Sequence, residues 1–341
     1  MTSAAGAVRR AGSVTAVAPG RVVLIGDHTD YTGGLCLPMA IDLKTTIAGV
    51  RGGDCVLLHS ADEPSDADVA LDVVDPAALE PFWSRYVGGV VAGMRPQEGL
   101  VGTVATTIPI GAGLSSSAAF EVALALALGF EGSPLALAQM CRDAEQKASG
   151  VPCGILDQLS SAAGRAGHVM VLDCHALTVD YEPMSPDVEV VVIHSGQERT
   201  LAGSGYADRV LQCAAAEARI GPLRVATLAQ VATLDDPLLV RRAHHVVTEN
   251  RRVRDFAAAL RTADHKAAGD LMVESHQSLR NDYETSTPIV DALVSHLIAT
   301  PGVYGARITG GGFGGCVVAL TEPGALDTGW HVRPSGGARL L

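Results

Sequence analysis

Four stretches hold residue types that apolar packing does not require. The first, APGRVVLIGDHTDYTGG, places Arg21, Asp27, His28, Asp30 and Tyr31 just after and within an apolar run. Each carboxylate can accept several hydrogen bonds and the imidazole can donate or accept, which suits a ligand rich in hydroxyls. On this stretch alone, an Asx-type turn with a solvated Asp and His is the alternative. No second His or Cys stands at a spacing that makes a convincing zinc site. The second stretch, PIGAGLSSSAAFEVALALAL, has Gly111 and Gly113 followed by Ser115, Ser116 and Ser117 and then a long apolar run. The glycines let backbone approach a ligand closely, and the helix that follows aims its unpaired N–H groups at the same place. The stretch lacks the G-K-[ST] ending of a P-loop. It reads equally as an ordinary strand-to-helix turn or as an anion cradle.

The other two stretches pose the same choice. In PLALAQMCRDAEQKASG, Glu145 falls on the stripe formed by Leu137, Ala138, Cys141, Ala144 and Ala148. A carboxylate there needs a partner, so Glu145 either reaches water from the edge of the stripe or ligates a metal ion. In GVPCGILDQLSSAAG, Asp157 lies among Ile155, Leu156 and Leu159. It is either a helix-surface acid or one kept ionised by a cation, for which Arg21 is the best candidate. A fifth stretch, ITGGGFGGCVVAL, has five glycines in six positions, broken by Phe313. Such a loop lets backbone pass close to another loop or a ligand, but without a neighbouring Lys it is weak as a nucleotide site.

These residues need elements to hold them. SVTAVAPGRVVLIG reads as two strands around a Pro-Gly turn, and TTIAGVRG, CVLLHSA and VGTVATTIPIG continue a strand-rich opening. Helices are expected from Ser116 to about Leu128, and from Pro134 to Gly150 with Ser133 as cap. HVMVLDC and VEVVVIHS read as strands. The second half is helical over Ser204–Ile220, Asp236–Leu260, Lys266–Val273 and Thr287–Ala299, and it closes with a strand, the glycine loop and a further strand or helix start. Residues 1–12 look like a loose tail, and the Pro-containing loop EPMSPD marks a boundary near Asp187. The division expected is residues 1–186 and 187–341.

The 341-residue chain is 48% hydrophobic, 18% charged and only 4% aromatic, a globular composition packed mainly by Ala, Val, Leu and Ile. A net charge of −12 makes it a poor general binder of nucleic acid. Seven cysteines without a CxxC read as reduced thiols. With no signal peptide and no run of about 20 apolar residues, a cytoplasmic, non-membrane protein is expected.

Taken together, the motifs resemble the GHMP family of small-molecule kinases, and within it the galactose-phosphorylating branch. GRVVLIGDHTDYTGGLCLPMAI resembles the sugar signature of that branch, IPIGAGLSSSAAFEVALA the ATP loop, and AEQKASGVPCGILDQLSS the catalytic segment. RRAHHVVTENRRV, LMVESHQSLRNDYETSTPIVDALV and GVYGARITGGGFGGCVVAL are similar to its C-terminal half, so the resemblance spans Val17 to Leu320. It implies an α+β, two-domain GHMP kinase fold, with an N-terminal domain like ribosomal protein S5 domain 2 and a ferredoxin-like C-terminal α/β domain. The implied reaction is ATP- and Mg²⁺-dependent phosphorylation of D-galactose at its 1-OH. By position, Asp157 and Arg21 are the implied catalytic pair. Asp27, His28, Thr29, Asp30, Gly154 and Tyr206 are the implied sugar contacts. The loop Gly111, Ala112, Gly113, Leu114, Ser115, Ser116 and Ser117 is implied to hold the nucleotide with Trp83 near adenine, and Ser117 and Glu145 to ligate magnesium. The implied partner is a small sugar, with no nucleic acid and no membrane, and a monomer is favoured.

Departures from the pattern bear on specificity. Asp27 stands where the family has Glu, one methylene longer, at a position implied to face the sugar 6-OH. Val23 replaces a usual Asn, SGQERTL differs from the usual run, and both termini are shorter. Arabinose, galactosamine or a 6-modified galactose is therefore an alternative substrate, although Asp27 opposes a carboxylate at C6 by like-charge repulsion. A non-catalytic sugar sensor of the same fold is the rival from another class. The complete GLSSSA loop with Arg21, Glu145 and Asp157 argues against it.

Overall fold

In the computed structural model, residues 12–150, 153–197 and 205–341 are described. The expected tail, the Ser204 start of a helix and part of SGQERTL lie outside them. The strands are β1 Ser13–Ile25, β2 Leu35–Arg51, β3 Cys55–Ser60, β4 Ala67–Ala70, β5 Leu100–Thr106, β6 His168–Asp173, β7 Thr178–Pro183, β8 Glu189–His194, β9 Val303–Ile308, β10 Cys316–Thr321, β11 Trp330–Val332 and β12 Arg339–Leu340. The α-helices are α1 Ser84–Met94, α2 Ser116–Ala127, α3 Pro134–Ser149, α4 Leu156–Ala163, α5 Tyr206–Ile220, α6 Leu228–Val231, α7 Pro237–Arg261, α8 His265–Asn281 and α9 Pro288–Ile298.

The strands form two sheets. The larger runs β12-β1-β2-β5-β3-β4, with β6 and β7 attached at the start of β2. The smaller, β11-β8-β10-β9, is antiparallel throughout. Its first and third strands are central, the order of a ferredoxin-like sheet. The last strand, β12, returns to β1, where Ala16 faces Leu340.

The expected pair of strands around Pro19-Gly20 is instead one strand with a register shift between Pro19 and Arg21. Proline supplies no N–H to the ladder there. Gly20 lies where the Leu114 carbonyl approaches so closely that a Cβ would be 2.7 Å from it. The irregularity lets the glycine-serine loop before α2 sit against β1, and the Arg21 N–H donates to the Leu114 carbonyl at 3.1 Å. From Ala16 onward β1 is buried along its whole length, because α2, α4, α7 and α8 all pack on it. This explains its continuous apolar run.

Several helix limits follow their capping residues. Ser133 accepts from Ala136 N, Asp236 from Leu238 N and Thr287 from Val290 N, each with proline next. Gly150 ends α3 in the left-handed region. α8 runs on to Asn281, beyond the expected Val273, because Ser275, His276 and Ser278 are buried polar residues whose partners lie on other elements or later in the chain. All seven cysteines are free thiols. Among the described residues, no helix is long and apolar enough to cross a membrane.

Candidate functional site

A cleft of two adjoining lobes opens between the glycine-serine loop before α2 and the loop that follows β1. The larger lobe, about 550 Å³, is walled by Arg21, Asp27, His28, Asp30, Asp157 and Tyr206. The smaller, about 260 Å³, is mainly apolar and includes Trp83, Phe82, Tyr86 and Phe120. Ser116, Ser117, Ile110, Phe82 and Tyr86 border both.

At the centre is Asp157, in the first turn of α4. Arg21 donates from Nε to Asp157 Oδ1 and from Nη2 to Oδ2, both at 2.8 Å. Ser115 Oγ donates to Oδ2 at 2.6 Å. Three donors therefore occupy a carboxylate with about four acceptor sites, leaving roughly one for a ligand hydroxyl. Arg21 Nη1 also donates to the Gly113 carbonyl at 2.7 Å. One guanidinium thus joins the acid to the glycine-serine loop, although the two residues are 136 positions apart.

The loop itself is shaped as an anion cradle. Gly111, Gly113 and Ser115 have φ of 76°, 78° and 60°. No side chain caps α2, because Ser115 Oγ is bound to Asp157 instead. The first N–H groups of α2 and its positive dipole end therefore face the cleft without a protein cap. Ala112 and Leu114, expected as nucleotide contacts, turn their side chains into the core at 3% and 1% exposure. Only their backbone remains at the loop.

Ser117 Oγ donates to Glu145 Oε1 at 3.0 Å. Burial, reinforced by the negative charge of Asp157, raises the Glu145 carboxyl above its ordinary range. Gln158 Nε2 donates to Glu145 Oε2 and, at 3.3 Å, to Glu121 Oε2. Glu121 is fully buried, and burial beside Glu145 pushes its carboxyl well up.

On the opposite wall, Asp30 has its carboxyl lifted to about 7 by burial and then by the charge of Asp157. A Cβ on residue 154 would lie 1.8 Å from Asp30 Oδ2, so only glycine allows the segment before α4 this close to the acid. His28, at φ 63°, bonds through Nδ1 to Tyr31 OH at 3.0 Å, and Tyr31 OH meets Tyr283 OH at 2.7 Å. Tyr206 stacks at 5.4 Å from the His28 ring. Thr29 is the exception among the expected sugar contacts. It is fully buried, and its Oγ1 bonds the carbonyls of Gly26 and Leu35. Its hydroxyl is used to close the turn and does not reach the cavity.

The galactokinase galactose-binding signature matches residues 7–51, the GHMP kinases N terminal domain 85–165 and the GHMP kinases C terminal domain 256–330. The human galactokinase is 44% identical over 327 residues, covering 90% of this chain and 83% of the relative. The chain belongs to the galactokinase family. The Roseiflexus galactokinase is 42% identical, covering 92% of this chain and 85% of its own. The crystal structure of the Lactococcus lactis galactokinase complexed with galactose superposes with a TM-score of 0.90 at 28% identity, covering 96% of this chain and 95% of that one. A mevalonate kinase structure at 20% identity and a TM-score of 0.66 shares the two-domain α+β GHMP kinase fold.

Within this galactokinase fold, sequence reasoning overlooked several residues that build the cleft. Phe82 and Tyr86 border both lobes, and the one signal for them was the neighbouring Trp83 in EPFWSRY. Trp83 Nε1 is tied to the Ser65 carbonyl at 3.0 Å, and its ring meets Phe120 edge-on at 5.9 Å. From α7, Glu249 accepts the Gly26 N–H at 2.9 Å, and Asn250 accepts the Leu35 N–H at 2.7 Å. These two bonds hold both ends of the signature loop. Burial opposes the Glu249 charge, but Arg252, His245 and Arg307 hold its carboxyl at about 2. The motif RRAHHVVTENRRV thus braces the loop from behind.

Proposed function

We propose that this chain phosphorylates D-galactose at the 1-OH with ATP, giving galactose 1-phosphate and ADP. The observation that carries this reading is the Asp157 carboxylate, held by Arg21 and Ser115 between an anion cradle and a wall of hydroxyl-binding side chains. The apolar lobe suits the adenine ring, with Trp83, Phe82 and Tyr86 as its walls. The N-terminus of α2 and Ser115 to Ser117 suit the phosphates. Asp30, His28, Tyr206 and the Gly154 backbone suit the sugar hydroxyls, with Asp27 at the far end. The division into residues 1–186 and 187–341 is consistent with the cleft lying mostly in the first unit.

In the reaction, the sugar O1 forms a bond to the γ-phosphorus as the bond to the ADP oxygen breaks. Such transfers pass through a loose transition state in most analyses, in which the nucleophile has lost little of its proton. A carboxylate with three donors already on it is suited to orient O1 and to receive its proton late. Arg21 lies where its remaining N–H groups favour charge on the transferring phosphoryl group.

The oxygens of Ser117 and Glu145 fit a magnesium ion. They are hard donors at the wall next to the cradle, and the Glu145 carboxylate is buried beside another negative charge. Among the described residues no group of three or more His, Cys, Asp or Glu could hold a metal by itself. This fits an ion that takes one or two protein ligands and the rest from phosphates. When bound, it would neutralise charge on the nucleotide. Glu145→Gln is expected to raise the Mg²⁺ concentration for half-maximal binding of ATP by roughly 10-fold or more. Equilibrium nucleotide binding against metal concentration checks this, and an unchanged curve contradicts the assignment.

A coupled ADP-release assay across galactose, arabinose, galactosamine and galacturonate tests the function. The expected result is highest kcat/KM on galactose and near-absent turnover of galacturonate. Preference for another sugar would replace galactose as substrate while leaving the kinase chemistry in place. ADP release independent of any sugar would remove the reading.

A further inference from the structure

A second charged pair on the sugar side is left unused by the transfer chemistry. Arg307, in β9, is fully buried. Its Nη2 lies 2.7 Å from Asp27 Oδ2, and its Nη1 faces the Val23 carbonyl at 3.4 Å. The other Asp27 oxygen, Oδ1, accepts the Gly310 N–H at 3.0 Å. Between these anchors, Thr309 Oγ1 accepts from Val23 N at 3.1 Å and donates to Val23 O at 3.0 Å. The smaller sheet and its glycine loop therefore grip an acid that belongs to the loop after β1. Asp27 and Gly310 both line the larger lobe.

A buried ion pair is a poor choice for stability alone, since apolar replacements of similar volume are often as stable. What the pair supplies here is orientation. Oδ1 is hydrogen-bonded to the Gly310 N–H and Oδ2 is drawn to the Arg307 guanidinium as an ion pair, which together set the direction of the carboxylate. Oδ2 is buried against Arg307, so the acceptor capacity left for a ligand is the second site on Oδ1. The glycine loop, which sequence reading left between loop packing and ligand contact, serves this purpose through its Gly310 N–H.

We infer that Arg307 is a positioning residue of the sugar subsite: by holding Oδ2 of Asp27 it turns Oδ1 toward the ligand hydroxyls. The inference rests on the reading above, in which Asp27 faces the sugar. The charged and titratable groups facing Asp27 are Arg21 from β1, Asp30 from its own loop, His245 and Glu249 from α7 and Arg307 from β9. Behind them, Arg252 of α7 pairs with Glu249, and His276 of α8 lies in the field of Arg307. Burial holds the His245 ring at about 4, so it is neutral at physiological pH. Burial also lifts Asp27 to about 6 against the pull of Arg307 and Arg21. Removing the guanidinium lifts it further, into the pH range in which the enzyme is assayed.

The test compares Arg307→Met and Arg307→Lys with wild type in galactose KM, ATP KM and kcat between pH 6 and 9. Arg307→Met is expected to raise the galactose KM by about 10-fold, with the ATP KM within about twofold. The acid limb of kcat/KM for galactose should move upward in pH, and Arg307→Lys should recover part of both losses. A folded Arg307→Met with unchanged galactose KM and acid limb overturns the inference. Should that variant not fold, Asp27→Asn/Arg307→Met removes both charges together. It is expected to fold and to bind galactose no worse than Asp27→Asn alone. Additive losses, or a double variant that also fails to fold, overturn the inference, since Arg307 would then act independently of Asp27. A wild-type protein that phosphorylates no sugar overturns the functional reading and this inference with it, whereas an active wild type with an indifferent variant overturns the inference alone.

Discussion

Asp157→Asn is expected to lower kcat for galactose phosphorylation by about 10³-fold while galactose still binds within a few-fold of wild type. The change keeps the shape of the side chain but replaces one acceptor oxygen by an NH₂ donor. That NH₂ group would face either Arg21 Nε, or Arg21 Nη2 beside Ser115 Oγ, and both guanidinium nitrogens need acceptors. Either orientation sets donor against donor, so the guanidinium must shift. Because Arg21 also holds the Gly113 carbonyl, the shift is felt at the phosphate cradle. The loss should therefore fall mainly on kcat, since the acid, the arginine and the loop form one connected unit. Galactose binding by calorimetry, alongside single-turnover rates, separates the two effects. Full turnover in the folded variant would remove Asp157 from its assigned role. An equal loss of sugar affinity and rate would make it a binding group.

Asp30→Asn is expected to do two opposed things. It should weaken galactose binding by roughly 10²-fold, from the loss of hydrogen bonds to a charged acceptor worth about 1.5–3 kcal/mol each. It should also make the sugar-free protein more stable above neutral pH. The sign follows from the raised carboxyl. In the folded chain Asp30 titrates at about 7, against an ordinary value of 3.8. Between those two values the folded state keeps a proton that the unfolded chain releases. The stability tied to that proton is complete below about pH 4, declines as pH rises and is gone above about pH 7. Asparagine has no proton to lose, so the variant should draw ahead of wild type across that window and stay ahead at pH 8. The carboxylate is partly open to the cleft, which reduces the gain to about 1–2 kcal/mol, or roughly 2–6 °C in Tm. Melting curves at pH 5 and pH 8, with and without galactose, check both effects. Wild type should gain more from galactose at pH 8 than at pH 6, because the ionised acid is the better acceptor. A variant equally stable at both pH values relative to wild type would contradict the perturbed carboxyl.

The two acids differ in how visible they are in the sequence. Asp157 was an acid inside an apolar run, and Arg21 was the best cation to pair with it. The structure places them together. Asp30 was one of several polar residues in a cluster. Its raised carboxyl comes first from burial and then from a neighbour, Asp157, and only the folded chain supplies either. Thr29 shows the reverse case: polar type and position suggested ligand contact, yet its hydroxyl was needed to close the turn. Phe82 and Tyr86 carried no signal beyond their neighbour Trp83, because nothing local distinguishes a ring that lines a cleft from one that packs elsewhere.

What the sequence determined by itself was local. Proline, serine, threonine, aspartate and glycine placed the limits of α3, α7 and α9, because caps act within a few residues of the end they satisfy. The glycine-serine loop before α2 was legible for the same reason: backbone freedom and a helix N-terminus are short-range properties. The tertiary structure decided which charges meet. Arg21 reaches Asp157 across 136 positions, and Gly310 reaches Asp27 across 283. It also decided that the Pro-Gly step in β1 is an irregularity in a single strand, made to admit the Leu114 carbonyl. Burial and charge pairing depend on distance in space, which the order of residues along the chain does not specify.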